Sequence, residues 1–405
     1  MTEVAHAHDD LASEGGRPVR AKFLPFCQPC LGTEEEQAVV ETLRSGWLTK
    51  GPRTIELEQA FARVCGASHA VCLNSGTAAL HLALIAARVG AGDEVITTPI
   101  TFAATANVIV HVGATPVFVD VEPDTLNIDP QAVARAITPR TKAIIPVHFA
   151  GHPCNMTEML ALAARHRLTI IEDAAHALGA EYRGRPIGSL GPYTCFSLYA
   201  TKNLTTGEGG FVTTNDAAAA EEIGGLALHG LSTNAWQRYG TAGYKHASVF
   251  TPGFNYVMFD LQAALGLCQL RKMEEFWQRR RALFEAYDAA LGTIDELWPL
   301  HRHPYVKHAY HLYVIRLRSD CLSVDRDQIL NAIQAEGIGL GVHFRALHLH
   351  PYYQHTFPQY AGRLPNAETA SEQVLSLPLY PQLSAADVGT VVSAVKKVIG
   401  RYRRR

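Results

Sequence analysis

Short β-branched runs alternate with helical patterns between residues 69 and 214 of this 405-residue chain. Several runs are almost wholly apolar, as strands buried on both faces of a sheet are. Helical patterns such as Thr77–Arg88 and Met156–Arg167 lie between many of them. This alternation predicts an α/β domain with a mainly parallel sheet. The seven runs are His69–Asn74, Glu94–Thr98, Thr115–Val121, Ala143–His148, Leu168–Asp173, Thr194–Tyr199 and Gly209–Thr214.

The pattern changes after the seventh run. Asp260–Ala289 has helical periodicity and no proline, which predicts one long helix leading out of the α/β domain. A strand pattern at His311–Leu317 and helical patterns at Asp325–Gly337 and Ala385–Ile399 follow it. They predict a second, smaller α+β domain. The expected organisation is a disordered arm over 1–22, a large α/β domain over 23–270 and the small domain over 271–405.

Charge and cysteine usage narrow the class of protein. The net charge is -2, from 36 basic and 38 acidic residues, so no nucleic-acid or membrane partner is expected. No apolar stretch could span a bilayer, and residues 1–20 lack the pattern of a secretory signal. The eight scattered cysteines are expected to be thiols, and the protein is expected to be cytoplasmic. Cys27 and Cys30 have C-x-x-C spacing but no second pair to complete a zinc site, and neighbouring prolines argue against a redox pair.

Ligands of open α/β sheets bind at the carboxyl ends of the strands, so the residues after each predicted strand are the site candidates. Ser75, Gly76 and Thr77 follow the first strand where a helix begins, and free N–H groups there attract an anion. Ordinary helix capping explains the same residues. Phe102 follows the second strand and belongs either to the core or against the face of a planar ligand.

Two charged residues follow later strands. Asp173 ends the fifth run, where its carboxylate either needs a cationic partner or caps the following turn. His176 would share its face if that turn is helical. Ser197 and Lys202 follow the sixth run. Burial in a cleft lowers the pKa of a lysine and makes its amine nucleophilic.

Together these residues form an anion cradle, a flat aromatic face, a buried carboxylate and a nucleophilic lysine. Pyridoxal 5'-phosphate needs all four, for its phosphate, its ring face, its ring nitrogen and its aldehyde. The G-x-G-x-x-G, Walker A and H-E-x-x-H patterns of other cofactor and metal sites do not occur. The sequence therefore predicts a pyridoxal-phosphate enzyme without a metal.

Seven longer segments, in order, strengthen this interpretation. The chain resembles the nucleotide-sugar aminotransferases of the DegT/StrS type, which are fold type I pyridoxal-phosphate enzymes, from Phe23 onward. The resemblance implies a mostly parallel seven-stranded sheet flanked by helices, with a smaller α+β C-terminal domain. The segments are FLPFCQPCLGTEEEQAVVETLRSGWLTKGP, NSGTAALHLAL, GDEVITTPITFAATANVIVHVGATPVFVDV, IEDAAHALGAEYRGRPIGSLG, FSLYATKNLTTGEGG, TPGFNYVMFDLQAALGLCQL and LPNAETASEQVLSLPLYP.

The resemblance also implies roles for individual residues, and a homodimer whose subunits share their active sites. Lys202 would carry the cofactor and act as general base and acid. The other implied roles are pairing of Asp173 with the ring nitrogen, His176 near the ring hydroxyl, phosphate contacts from Gly76, Thr77 and Ser197, stacking by Phe102, and Asn255 on the phosphate of the neighbouring subunit.

The implied reaction moves an amino group from L-glutamate to the keto carbon of a nucleotide-linked sugar, and C4 is the expected position. The HFRA run within Gly337–Tyr353 looks most like the branch that aminates UDP-linked 4-keto pentose. His343 and Arg345 are the candidate substrate contacts, although Arg345 is equally explained as a surface arginine before a turn. Val257 stands where many relatives carry arginine, and TTGEGG matches other branches. A dTDP-linked 4-keto or 3-keto deoxysugar is therefore the alternative substrate.

Two other functions fit the same scaffold. A sugar dehydratase would remove a hydroxyl, but in such relatives histidine replaces the lysine that is present here as Lys202. A non-catalytic cofactor-binding regulator is the other. The histidine-rich segments around residues 301–311 and 343–355 lack carboxylates or cysteines at ligand spacing, so neutral or exposed histidines are expected there.

Overall fold

The computed structural model describes residues 10–231 and 246–404. All seven predicted strands form one sheet in the order β1-β9-β8-β5-β4-β2-β3. β9 runs antiparallel to both of its neighbours, and the other neighbouring pairs are parallel, so the predicted fold class is confirmed. The strands are β1 His69–Leu73, β2 Glu94–Thr97, β3 Thr115–Phe118, β4 Thr141–Ile145, β5 Thr169–Asp173, β6 Glu181–Tyr182, β7 Arg185–Pro186, β8 Tyr193–Ser197, β9 Gly210–Thr214, β10 Leu297–Pro299, β11 Val306–Lys307, β12 Tyr313–Leu317 and β13 Val374–Leu377.

Helices cover both faces of the large sheet. Phe196 of β8 and Phe211 of β9 pack on Phe61 from one face, while Cys195 and Val212 point into the core on the other face. Burial on both faces explains why the strands read as continuous apolar runs. The described helices are α1 Thr33–Ser45, α2 Pro52–Cys65, α3 Gly76–Ala86, α4 Ala103–His111, α5 Pro130–Ala136, α6 Met156–His166, α7 Ala217–Ala227, α8 Asp260–Arg271, α9 Met273–Leu291, α10 Arg326–Ala335, α11 Pro351–Thr356, α12 Pro365–Gln373 and α13 Ala385–Tyr402.

The single long helix predicted over 260–289 is wrong. The chain breaks at Lys272, whose ψ of 1° is outside the helical range, and α8 and α9 lie on either side. α8 packs against α1 and α2, whereas α9 packs against α13, so the chain must change direction between them. The Lys272 ammonium donates to the buried Glu35 carboxylate, which fixes the break. The predicted domain limit at residue 270 lies beside this break and stays a prediction.

A second hydrophobic core lies in the C-terminal part of the chain. There β10, β12 and β13 form an antiparallel sheet, and α9, α10 and α13 contribute residues to the same core. A small third sheet joins β11, β6 and β7. Within residues 10–231 and 246–404, no helix has the length and apolarity that crossing a bilayer requires.

The prediction of a disordered arm is wrong for residues 10–22. Leu11 is fully buried in the second core. The buried Glu336 carboxylate accepts hydrogen bonds from the Ala12 and Val19 backbone N–H groups at 2.8 and 2.9 Å. The polar composition of the segment indicated disorder, but a carboxylate more than 300 residues away holds it. Residues 1–9 lie outside the described residues.

Candidate active site

A cavity of about 490 Å³ opens at the carboxyl ends of the parallel strands, between the sheet and the C-terminal part of the chain. Most of the site residues predicted from the sequence lie together in the structure. Eight of the predicted site residues line this cavity: Gly76, Thr77, Phe102, Asp173, His176, Ser197, Lys202 and His343.

Lys202 lies in the loop that follows β8. Its backbone N–H donates to the Tyr199 carbonyl at 2.9 Å, which closes a turn and directs the loop toward the cavity. Burial lowers the pKa of Lys202 to about 8, and the negative charge of Asp173 only partly opposes this shift. Lys50 is a contrast, because the Glu58 carboxylate at 2.9 Å outweighs burial and raises the pKa of that lysine. No carboxylate forms an ion pair with Lys202 among the described residues.

Asp173 ends β5, next to β8 in the sheet, so it faces the loop that carries Lys202. Its side chain accepts hydrogen bonds from Thr105 Oγ1 at 2.7 Å and from the Ala175 N–H at 3.1 Å. Thr101 Oγ1 lies 2.7 Å from Thr105 Oγ1 and extends the chain of hydroxyls. Burial raises the pKa of Asp173, and these hydrogen bonds and Lys202 counter the rise. A buried carboxylate in this state favours a cationic partner.

The start of α3 forms the cradle predicted for an anion. Ser75 is the N-cap, and its Oγ accepts the Ala78 N–H at 3.0 Å, so the capping interpretation is correct for this residue. A Cβ on Gly76 would lie 3.0 Å from the Ser197 Cβ, which shows how closely the two loops approach. A Cβ on Gly210 would lie 2.6 Å from the Gly76 nitrogen. Gly210 thus allows β9 to pass beside the helix start.

Phe102 caps α4 and is 66% exposed, so the core alternative for this ring is excluded. It lines the cavity instead. Three histidines line another part of the wall. His176 and His311 lie with ring centroids 4.4 Å apart, and His343 Nδ1 lies 2.8 Å from Ser376 Oγ. Burial and the charge of Lys202 lower the pKa of His343 to about 4, and burial lowers the pKa values of the other two well below 6.5.

Two candidates do not line the cavity. Asn255 is exposed, and its backbone pairs with Leu228, which leaves its predicted contact with a second subunit as a prediction. Arg345 is exposed, and its guanidinium donates to the Leu349 carbonyl at 3.2 Å, as the surface-arginine alternative expects. Val257 lies in the core beside Leu73 and is 6% exposed.

Several residues of the cavity wall are not among the site residues predicted from the sequence. Phe26 and Cys27 reach it because the chain at Leu24 pairs with Ile338. His311 had been noted only as part of a histidine-rich segment. All eight cysteines are free thiols. Among the described residues, no group of three or more histidine, cysteine, aspartate or glutamate side chains is arranged to hold a metal ion.

The residues fit pyridoxal 5'-phosphate. Gly76 and Thr77 line the cavity at the start of α3, where backbone N–H groups can bind a phosphate, and Phe102 offers a ring face. His176 Nδ1 is buried without a hydrogen-bond partner among the described residues, so the wall has an unsatisfied polar atom. Together with the sheet order, this donor set defines a fold type I pyridoxal-phosphate enzyme.

Comparison with known proteins identifies the family. The model of the DegT/DnrJ/EryC1/StrS aminotransferase family matches residues 29–396. The spore coat polysaccharide biosynthesis protein SpsC of Bacillus subtilis is 49% identical over 381 residues, which are 94% of this chain and 98% of SpsC. The chain belongs to the DegT/DnrJ/EryC1/StrS aminotransferase family, as the resemblance implied.

Solved structures agree. Spr1654 from Streptococcus pneumoniae, solved in PMP and PLP forms, has TM-scores of 0.88 and 0.87 at 35% identity in both. These matches cover 93% and 94% of this chain and 99% of Spr1654. PseC of Helicobacter pylori, an aminotransferase involved in the biosynthesis of pseudoaminic acid, has a TM-score of 0.88 at 32% identity, covering 94% of this chain and all of PseC. The prediction of pyridoxal phosphate as the cofactor is thereby confirmed for this fold and family.

Proposed function

We propose that this protein transfers an amino group from L-glutamate to C4 of a nucleotide-linked keto sugar, with pyridoxal 5'-phosphate as cofactor. The observation that carries the proposal is that Lys202 and Asp173 line one cavity. The lysine amine has a lowered pKa of about 8, and the buried carboxylate has a raised one. An amine that is partly neutral at pH 7 can move protons, and a buried carboxylate can hold a positive charge opposite it.

When bound, the cofactor supplies an aldehyde that takes up the amino group and a ring that withdraws electrons. Gly76, Thr77 and Ser197 would hold its phosphate, and Phe102 would cover one face of its ring. His176 would face the ring hydroxyl. Asp173 would keep a proton on the ring nitrogen, aligned by the hydrogen bond from Thr105.

Lys202 Nζ performs the proton transfers. In the first half-reaction it would take the proton from the α-carbon of glutamate and deliver it to the cofactor carbon that receives the amino group, while one water supplies the keto oxygen of 2-oxoglutarate. In the second half-reaction the same amine moves a proton in the opposite direction, toward the former keto carbon of the sugar. Apolar and aromatic side chains at the cavity wall, including Phe26 and Phe344, limit the access of water.

The sugar is the less constrained part of the proposal. His343, half-buried and held by Ser376, is suited to accept a hydrogen bond from a sugar hydroxyl or to donate one to it. The names of SpsC and PseC connect those proteins with polysaccharide and pseudoaminic acid biosynthesis, which supports an amino-sugar product here. A UDP-linked 4-keto pentose and a dTDP-linked 4-keto or 3-keto deoxysugar are the two substrate candidates.

A homodimer with shared sites completes the proposal. Phe102 and Tyr199 line the cavity yet are 66% and 46% exposed, and large exposed aromatics beside a site are typical of an interface. Asn255 is exposed as well, so its side chain can contact the cofactor phosphate bound by a second copy of the chain.

The reaction is tested in two steps with the purified holoenzyme. Adding L-glutamate should convert the visible absorbance of the bound cofactor to that of its PMP form, and 2-oxoglutarate should appear in equal amount. UDP- and dTDP-linked 4-keto sugars are then offered, and we expect a product whose mass shows an amine in place of the carbonyl. No spectral change with glutamate would favour the regulator alternative, and loss of a hydroxyl without gain of nitrogen would favour the dehydratase.

Substituting Gly76 should weaken cofactor binding. In Gly76→Ala the new Cβ lies 3.0 Å from the Ser197 Cβ and 3.3 Å from the Phe196 carbonyl oxygen, so it narrows the cradle. Relieving this contact must move the start of α3 or Ser197. If the whole of the about 1–3 kcal/mol typical of overpacking opposes the cofactor-bound arrangement, the Kd for pyridoxal phosphate rises about 5- to 150-fold. Absorbance titration of the apoenzyme measures the Kd. Gly90→Ala is the matched control, because its Cβ would meet no atom within 4 Å, and equal Kd values for the two variants would contradict the cradle.

A further inference from the structure

We propose that His311 Nε2 accepts a hydrogen bond from the sugar hydroxyl next to the keto carbon, so that the enzyme selects hydroxylated sugars over sugars deoxygenated at that position. This inference rests on the proposed function and names a specificity residue within it. His311 lines the cavity and is 4% exposed, so a group bound beside it is shielded from water.

Asn203 fixes which nitrogen of His311 carries the hydrogen. The Asn203 Nδ2 donates to the Ala309 carbonyl at 2.7 Å, and this places the Asn203 amide oxygen 2.9 Å from His311 Nδ1. An amide oxygen can only accept, so Nδ1 must donate to it. In a neutral ring the other nitrogen, Nε2, then carries a lone pair. No described residue forms a hydrogen bond with His311 Nε2. The Nε2 atom is nevertheless not fully enclosed by protein atoms, so its lone pair is open to the cavity.

The ring is kept neutral by its surroundings. Burial is the largest cause that lowers the pKa of His311 well below 6.5, and the His176 and His343 rings and the Lys202 and Arg280 cations beside it further oppose a positive charge on the ring. Protonation would place a second donor on the ring and remove the acceptor. At neutral pH the Nε2 atom therefore remains an acceptor.

The backbone around His311 is anchored on two sides. Ala309 N–H donates to the Gly151 carbonyl at 2.9 Å, and Leu312 N–H donates to the Ala150 carbonyl at 3.2 Å. The buried Arg280 guanidinium donates to the His311 carbonyl at 3.3 Å from the opposite side. These contacts join the loop after β4 to α9 through His311. The Nε2 atom thus has a fixed position, which selectivity by a single hydrogen bond requires.

The chemistry of the two substrates indicates which group this acceptor receives. A keto oxygen and the carboxylates of glutamate only accept, so each would oppose the lone pair. A sugar hydroxyl can donate. The hydroxyl next to the keto carbon lies closest to the reacting atoms at Lys202, and Asn203 joins that lysine directly to His311.

A matched pair of nucleotide-linked 4-keto sugars, with and without a hydroxyl at C3, tests the inference. For the wild-type holoenzyme we expect kcat/KM to be roughly 10- to 100-fold higher for the hydroxylated sugar, because a buried acceptor left unpaired is costly. In His311→Phe this preference should fall to less than about threefold, whatever the rate of the glutamate half-reaction. In His311→Gln, where the amide can again accept near the position of Nε2, part of the preference should return.

His308→Phe is the control for damage to the segment. His308 is buried three residues away, its Nδ1 accepts the Tyr310 N–H at 2.8 Å, and it does not line the cavity. This variant should keep the wild-type ratio between the two sugars, whatever its total activity. Equal kcat/KM values of the wild type for both sugars, or an equal loss on both sugars in His311→Phe, would overturn the inference. Failure to aminate any sugar would instead contradict the proposed function.

Discussion

Replacing Lys202 with alanine should lower amine transfer by at least about 10⁴-fold, since it removes both the nucleophile and the group that moves the proton. Among the described residues, no other group is well placed to take over these two roles of Lys202. His176, His311 and His343 line the same cavity, but burial lowers their pKa values, and the nearby Cys27 thiol has a raised pKa. Single-turnover conversion of glutamate to 2-oxoglutarate measures the loss. Residual activity within about 100-fold of the wild type would contradict the assignment.

Covalent labelling locates the same amine directly. Borohydride treatment of the holoenzyme should fix the cofactor on the peptide that contains Lys202, and the label should be absent from Lys202→Ala. Lys50→Met is the matched control, because Lys50 is half-buried like Lys202 but pairs with Glu58 and does not line the cavity. That variant should keep the label on Lys202. A label on any other peptide in the wild type would refute the role of Lys202.

The pH dependence of cofactor capture by the apoenzyme is a further readout of Lys202. Only the neutral amine attacks an aldehyde, and its fraction rises about tenfold per pH unit below the pKa. With a pKa of about 8, the rate should rise from pH 6 to pH 8 and then level off. A lysine at its ordinary value of 10.5 would give a rate that still increases beyond pH 10. Continued increase above pH 9 would show that burial does not shift this amine.

The sequence predicts the sheet well because the signal for each strand is local. Each of the seven runs predicted between residues 69 and 214 overlaps a strand of the large sheet, and the observed strand ends differ from the predicted ends by at most three residues. The meeting of Asp173 and Lys202 followed from the same reasoning. Asp173 ends β5 and Lys202 follows β8, and these two parallel strands are direct neighbours in the sheet. Because the carboxyl ends of parallel strands share one edge of the sheet, the proximity of residues far apart in the sequence could be predicted.

The rest of the site depends on contacts that no local pattern records. His311 reaches the cavity because its segment pairs with Ala150 and Gly151, and Asn203 then fixes its tautomer. Phe26 arrives through pairing of the N-terminal segment with Ile338. The arm over 10–22 is ordered by Glu336, and neither partner is conspicuous in the sequence. Long-range hydrogen bonds of this kind decide where these residues lie relative to the cavity.

Asp173→Asn should lower kcat about 10²- to 10⁴-fold while leaving the fold and the labelling of Lys202 intact. The amide has nearly the shape of the carboxylate, so Thr105 Oγ1 and the Ala175 N–H retain a partner. What is lost is the charge, and removing one member of a buried ionic pair costs about 3–5 kcal/mol. The pair in question is the one that the Asp173 carboxylate would form with the protonated ring nitrogen of the cofactor. If this pair contributes fully to the transition state, each 1.36 kcal/mol corresponds to a tenfold change in rate, which gives the expected range.

Thr105→Val separates the charge of Asp173 from its orientation. This variant keeps the carboxylate and removes the hydroxyl that donates to it at 2.7 Å, so the pKa of Asp173 should rise further and kcat should fall by only about 3- to 10-fold. Single-turnover rates with glutamate, measured between pH 6 and pH 9, compare the two variants. Because a higher pKa leaves less carboxylate at low pH, the loss in Thr105→Val should be greatest at pH 6, whereas the loss in Asp173→Asn should show no recovery at high pH. If Asp173→Asn were as active as Thr105→Val at every pH, the charge at residue 173 would have no part in the reaction, and the carboxylate would serve only to hold the end of β5.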